Sequence, residues 1–204
     1  SAVLAPMFIA MSLSFGTACM LLAVMLIFRL SKVPVKDDVV TRLRCLLAYF
    51  VIAVAFFVAI DHLTRLYAAG HSGVEKFLLV EGGIYPALFW VGQFLLGTVI
   101  PVIILLTPRL SGVSHTVVAA LLVLLGALAQ LYVLIIGGQA FPMDIFPGYS
   151  ESSSYFDGVV AGYTPSLPEF ALGLGGIGLA LLVALLATRV LPFVPQAPVD
   201  QPGA

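Results

Sequence analysis

Asp61, His62 and Arg65 occupy the last two turns of an apolar run extending from Cys45 to about Tyr67. Residues four apart share a helix face, so Asp61 and Arg65 are spaced to pair, with the proton-exchanging His62 beside them. Ionisable groups at membrane depth are costly and mark functional sites by default. The alternative is that the helix has surfaced here and carries an interfacial ion pair level with the aromatic Tyr67. Glu81, just before the next apolar run, and Glu169, at the start of the last one, fall on the same side. Asp61, His62, Arg65, Glu81 and Glu169 are therefore expected to form a polar cluster able to relay protons. Glu169 also has a local explanation. Ser166 lies three residues before it as in a capping box, Pro168 suits a first helical turn, and the carboxylate faces the positive helix end.

The elements that carry these residues are membrane spans. Hydrophobic residues make up 61% of the 204 and charged residues 9%, with mean hydropathy +1.15, whereas a soluble domain carries about 25% charged residues. The pattern predicts an all-α integral membrane bundle of five helices, over 7–28, 45–67, 84–106, 117–136 and 167–191, each near the ~20 residues a hydrocarbon core needs. Pro101 lies well inside the third span, where it frees a backbone carbonyl and predicts a kink. Gln93, Gln130 and Tyr132 are polar groups within spans. The bundle fills 1–193, and 194–204 is a Pro-rich tail. The opening SAVLAPMF has no initiator Met and no basic stretch with a cleavage site, which predicts the interior of a longer protein instead of a signal peptide.

Charge predicts the orientation. Seven of the nine basic residues (Arg29, Lys32, Lys36, Arg42, Arg44, Arg109, Arg189) fall on one side, with Arg65 and Lys76 on the other. The positive-inside rule makes the first side cytoplasmic, so the N-terminus is outside and the C-terminus inside. The segment Arg29 to Arg44 reads as a short basic loop broken at Pro34. The connection from Gly137 to the fifth helix is acidic, without Lys or Arg, and lies outside. A loop of roughly 30 residues exceeds what a simple connection needs, and its aromatics and prolines favour a folded cap. Its Asp144, Tyr149, Glu151 and Asp157 are expected to dock a partner, drawn by positive charge.

Other chemistries are disfavoured. Cys19 and Cys45 cannot supply a disulfide framework or the ligands of an iron–sulfur cluster. His62 and His71 lie toward one side and His115 toward the other, so no haem or metal is expected. The Gly173-Leu-Gly175-Gly176-Ile-Gly178 match to a dinucleotide fingerprint lies inside an apolar span without the strand it requires. Gly176, Ala180 and Ala184 form instead a small-residue ridge suited to helix packing.

Three segments carry a resemblance: GGQAFPMDIFPGYSESSSYFDGVVAGYTPSLPEF followed by a glycine-rich helix, FWVGQFLLGTVIPVIILL, and LAPMFIAMSLSFGTA. Together they resemble the NrfD/PsrC family of membrane subunits, and within it the large membrane subunit of a redox complex of sulfur-metabolising prokaryotes. The resemblance implies a multi-pass subunit of the prokaryotic cytoplasmic membrane that exchanges electrons with the quinone pool, menaquinone or ubiquinone. It implies an outer-face iron–sulfur subunit as partner. Family members have eight to ten helices, so this chain corresponds to a C-terminal half, and the resemblance places the quinone pocket mainly in preceding helices. Two other readings stand beside it: half of a secondary transporter, suggested by Pro101, Gln93, Gln130 and Asp61, and a structural anchor with no chemistry of its own.

Overall fold

A computed structural model describes residues 2–31, 37–68, 72–142, 154 and 159–190. Among these residues the regular structure is helical, and five helices are long and apolar enough to cross a membrane. Except at their ends, helices close their backbone hydrogen bonds internally, which is why apolar runs of this length adopt them in lipid. In order they are α1 (Leu4–Ser31), α2 (Asp37–Tyr67), the short α3 (Ser72–Lys76), α4 (Ile84–Leu106), α5 (Val113–Ala140) and α6 (Leu167–Val190).

Several boundaries differ from expectation. The basic segment Arg29 to Arg44 is mostly helix, because α1 runs on to Ser31 and α2 begins at Asp37. Charge at a helix end need not stop it: Arg42 pairs with Asp38 one turn back at 3.1 Å, and Arg44 finds partners on another helix. At the other end, Gly137 and Gly138 do not break α5, which continues to Ala140, so the long connection starts at Phe141. Its return contributes one backbone bond, Ala161 N–H to the Ala140 carbonyl at 2.9 Å. Phe141 packs on Phe77, ring centroids 5.5 Å apart. Asp144, Tyr149, Glu151, Asp157 and the tail 194–204 lie outside the described residues.

Where a kink was expected at Pro101, the structure shows a change of winding just before it. From Leu88 to Val99 α4 follows the wider π pattern of i→i+5 bonds, then returns to α geometry over Ile100–Leu106 with Pro101 buried. Shorter π stretches extend α3 (Phe77–Glu81) and interrupt α5 (Tyr132–Gly137). Between α3 and α4 the chain turns at Gly83, whose φ of +64° suits a residue without Cβ.

The chain divides into two compact units: Ser1–Met25 with Val35–Gly162, and Leu26–Pro34 with Tyr163–Ala204. The first holds two buried clusters. One, around Met7, Val58, Leu78, Tyr85 and Val133, surrounds His62. The other is built around Leu21, Leu47, Val51, Leu105 and Val123. α4 and α5 meet through glycine: a Cβ on Gly97 would lie 2.6 Å from the Gly126 Cα, and one on Gly126 would lie 2.2 Å from the Gly97 Cα. In the second unit, the side chains of α6 from Leu167 to Leu186 are exposed.

Candidate functional site

The last two turns of α2 bring three ionisable side chains to the first unit's core, and α3 brings a fourth. Asp61 is 2% exposed and Glu75 0%. Arg65 bridges them: its Nη2 donates to Asp61 Oδ2 at 2.9 Å, the i,i+4 pair the spacing predicts, and its Nε lies 3.7 Å from Glu75 Oε1. His62 Nδ1 sits 2.6 Å from Glu75 Oε2. Since an ionised carboxylate only accepts, Nδ1 carries the proton and donates, leaving Nε2 as the ring's remaining hydrogen-bonding atom. Phe89 packs its edge against this imidazole, ring centroids 4.8 Å apart.

The electrostatics follow from counting charges. Two carboxylates face one guanidinium, so with His62 neutral the buried group carries one net negative charge, which burial disfavours.

Polar side chains of α4 and α5 complete the surroundings. Gln93 and Gln130, buried at 7% and 5% exposure, line with Asp61, His62, Arg65 and Met7 a cavity of about 20 Å³. Asp61 Oδ1 and Gln130 Nε2 have no protein hydrogen-bond partner. The cavity is large enough for one water, which needs about 10–15 Å³ and several polar neighbours. A second cavity of about 10 Å³, lined by Ser14, Gln93, Thr98 and Gln130, lies against the glycine contact of α4 and α5. His62 and Gln93 also line a larger, mostly apolar groove of about 320 Å³ between α2 and α4.

Two residues expected in the cluster have other partners. Glu81 pairs with Lys76 at 2.6 Å, both side chains more than half exposed. The five-residue spacing spans one π turn, and Glu81 is thereby held away from Arg65. Glu169 belongs to the second unit, where it accepts from the Ser166 N–H at 3.0 Å and the Tyr163 hydroxyl at 2.9 Å, while the Phe170 N–H closes on the Ser166 carbonyl at 3.1 Å. This is the cap that the Ser166 to Glu169 spacing predicts. Glu75 takes the place expected of Glu81. Its sequence signal, Ser72-x-x-Glu75, reads as a capping box on a solvent-facing turn, and nothing local shows that the turn folds back onto α2. At the other end of the unit, Arg44 Nη2 donates to the carbonyls of Ile104 and Leu105 at 2.9 and 3.1 Å. These are among the last carbonyls of α4, which have no partner within the helix.

The fold and the site define a class: a polytopic α-helical membrane protein with a buried cluster of ionisable side chains in its helix bundle. The chain belongs to the polysulphide reductase NrfD family, whose pattern it matches over residues 1–143. It is 29% identical to an Hdr-like menaquinol oxidoreductase integral membrane subunit of Archaeoglobus fulgidus, over 98% of this chain and 51% of that protein. It is 26% identical to a Halobacterium salinarum protein provisionally named as a membrane subunit of dimethyl sulfoxide reductase, over 97% of this chain and 47% of that one. The chain thus spans about half the length of these relatives. No solved structure matches it.

Proposed function

We propose that this chain forms part of the membrane subunit of a quinone-linked redox complex in a prokaryotic cytoplasmic membrane. In this reading electrons pass between the quinone pool and an iron–sulfur subunit docked on the outer face, and the Asp61–Arg65–Glu75–His62 cluster handles the accompanying protons. The observation that carries the reading is the buried cluster: two fully buried carboxylates lie within ion-pair or hydrogen-bond reach of one guanidinium and one imidazole. Oxidising a quinol releases two protons with its two electrons, which a subunit serving the quinone pool must accept. The relatives' names, a menaquinol oxidoreductase subunit and a dimethyl sulfoxide reductase subunit, agree with this chemistry.

Within this chain Nε2 of His62 is the atom that meets an incoming proton, Glu75 holds the imidazole in place through Nδ1, and Arg65 pairs with Asp61. A water in the cavity between Asp61 and Gln130 extends the path toward Ser14 and Thr98. The redox centres are assigned to the partner, because two cysteines in apolar helices cannot ligate a cluster. The acidic connection of residues 141–166 supplies the docking face, through Asp144, Tyr149, Glu151 and Asp157.

The test is mutagenesis in the complete complex. Asp61→Asn and Glu75→Gln are expected to lower quinol-linked electron transfer by about 10²-fold or more, the usual worth of a positioned proton-transfer group, with all subunits still co-purifying. Unchanged turnover in both variants removes the relay. Glu169→Gln shows whether α6 takes part: its cap partners account for the carboxylate locally, and lost turnover there would add it to the path.

A further inference from the structure

Asp61 and Gln130 each carry a buried polar atom that the protein leaves unsatisfied. Asp61 Oδ1 has no hydrogen-bond partner among the described residues, and neither has Gln130 Nε2. The two side chains are 2% and 5% exposed. Both line the cavity of about 20 Å³ that α1, α2, α4 and α5 share, whose other polar walls are His62, Arg65 and Gln93. An acceptor and a donor that face one cavity without bonding each other are spaced for something between them.

Two kinds of occupant fit a space of this size. A water needs about 10–15 Å³; it would donate to Oδ1 and accept from Nε2, but it brings no charge. Charge is what the surroundings lack. Arg65 is the one guanidinium facing Asp61 and Glu75 among the described residues, and it is committed to Asp61 Oδ2 at 2.9 Å with Glu75 Oε1 at 3.7 Å. With His62 neutral, the group keeps one negative charge that burial disfavours. A monovalent cation against Oδ1 cancels that charge. Hard cations take oxygen ligands, and a glutamine amide turned by half a rotation presents its oxygen where its nitrogen stood. Asp61 Oδ1 and the amide oxygens of Gln130 and Gln93 can then meet one ion. Both glutamines also line the adjoining cavity of about 10 Å³ beside Ser14 and Thr98, where a water can add a further ligand.

We propose that this cavity is a sodium-ion site, with Asp61 as its charged ligand and the amides of Gln130 and Gln93 beside it. Sodium is no larger than the water the cavity has room for, and its single charge matches the single charge left over. A divalent ion would leave the buried group positive and calls for six or more oxygens, or for several retained waters. A transition metal is served no better, since no group of three His, Cys, Asp or Glu is set to hold one among the described residues. Ionisable groups at membrane depth mark ion sites as well as proton relays. The proposal goes beyond the quinone-linked reading and does not rest on it; sodium, when bound, takes the place of the water in the path described above.

The experiment measures equilibrium binding of radioactive sodium to the complete complex in lipid nanodiscs, with choline chloride holding ionic strength constant. Saturable binding that excess unlabelled sodium displaces and equal potassium does not is the expected result. The unfolding temperature should rise with sodium in parallel, as it does for any ligand of the native state. Asp61→Asn is expected to abolish the binding and Gln130→Leu to weaken it by about tenfold or more. Glu81→Gln, which removes an exposed carboxylate paired with Lys76, should bind as the parent does. No saturable sodium in the parent complex overturns the proposal and leaves the cavity to water. Binding that survives both Asp61→Asn and Gln130→Leu places the ion elsewhere and overturns it too, as does equal displacement by potassium. If Asp61→Asn does not fold, the parent complex and Gln130→Leu still decide the matter. No turnover enters any readout, so failure here leaves the quinone-linked reading standing.

Discussion

Arg65 is the residue on which the buried cluster depends electrostatically. It is the one cation facing Asp61 and Glu75 among the described residues, so Arg65→Leu leaves two buried carboxylates uncompensated. Breaking a buried ion pair from one side costs about 3–5 kcal/mol, and a clear loss of thermal stability in the detergent-solubilised complex is expected. Adding Asp61→Asn to Arg65→Leu should recover part of that loss. A double variant no more stable than Arg65→Leu alone would show that Arg65 acts through packing. At this scale the sequence was informative where partners share a helix. The Asp61–Arg65 pair follows from a four-residue spacing, and the Glu169 cap from a three-residue one. The His62–Glu75 bond joins two helices across a turn, and no local spacing encodes it. Glu81 was expected in the cluster because it precedes α4 on the same side, but Lys76 lies one π turn away and claims it. Arg44 was similarly hidden: read as loop charge, it reaches instead to the last carbonyls of α4.

At the scale of elements, the position of Gln93 depends on how closely α4 approaches α5. Gly97 and Gly126 set that approach, since neither backbone leaves room for a side chain on the other. In a bilayer such small-residue contacts carry association, because lipid offers no hydrophobic drive between helices. Gly97→Leu or Gly126→Leu is expected to cost about 1–3 kcal/mol or more through overpacking, visible as a lower unfolding temperature, and to disturb the groove and both small cavities together. Gly138→Ala is the control: its backbone is helical, with φ −66° and ψ −26°, and a Cβ there meets nothing within 4 Å. It should be neutral or slightly stabilising, as Ala for Gly in a helix usually is, by about 0.5–1 kcal/mol. Equal losses at Gly97 and Gly138 would sink the packing argument. The five long helices were legible because an apolar run of about 20 residues has few other solutions in lipid. Their winding was not. Pro101 predicts a kink in α4, but no local signal in the sequence marks the i→i+5 register that Leu88 to Val99 adopt.

At the scale of the whole molecule, function depends on which membrane face carries the cluster, and this is decided by charges outside the core. Arg44 is buried as a helix cap, and Arg65 and Lys76 are committed to acidic partners. By the order of the spans along the sequence, Arg29, Lys32, Lys36, Arg42, Arg109 and Arg189 are expected on one side, so setting these three aside leaves the expected asymmetry in place. On that assignment the 107–112 connection is expected in the cytoplasm and the long connection after α5 outside, together with the His62 end of the first unit. Single cysteines at Ser111 and Ser154, both exposed, test this in a Cys19→Ser, Cys45→Ser background with a membrane-impermeant maleimide. Ser154→Cys should label in intact cells and Ser111→Cys only after permeabilisation. The reverse pattern would put the ion cluster and its docking face in the cytoplasm. Protons relayed through His62 would then be released inward and could not contribute to a proton gradient, so the orientation also determines whether the buried cluster couples electron transfer to energy conservation.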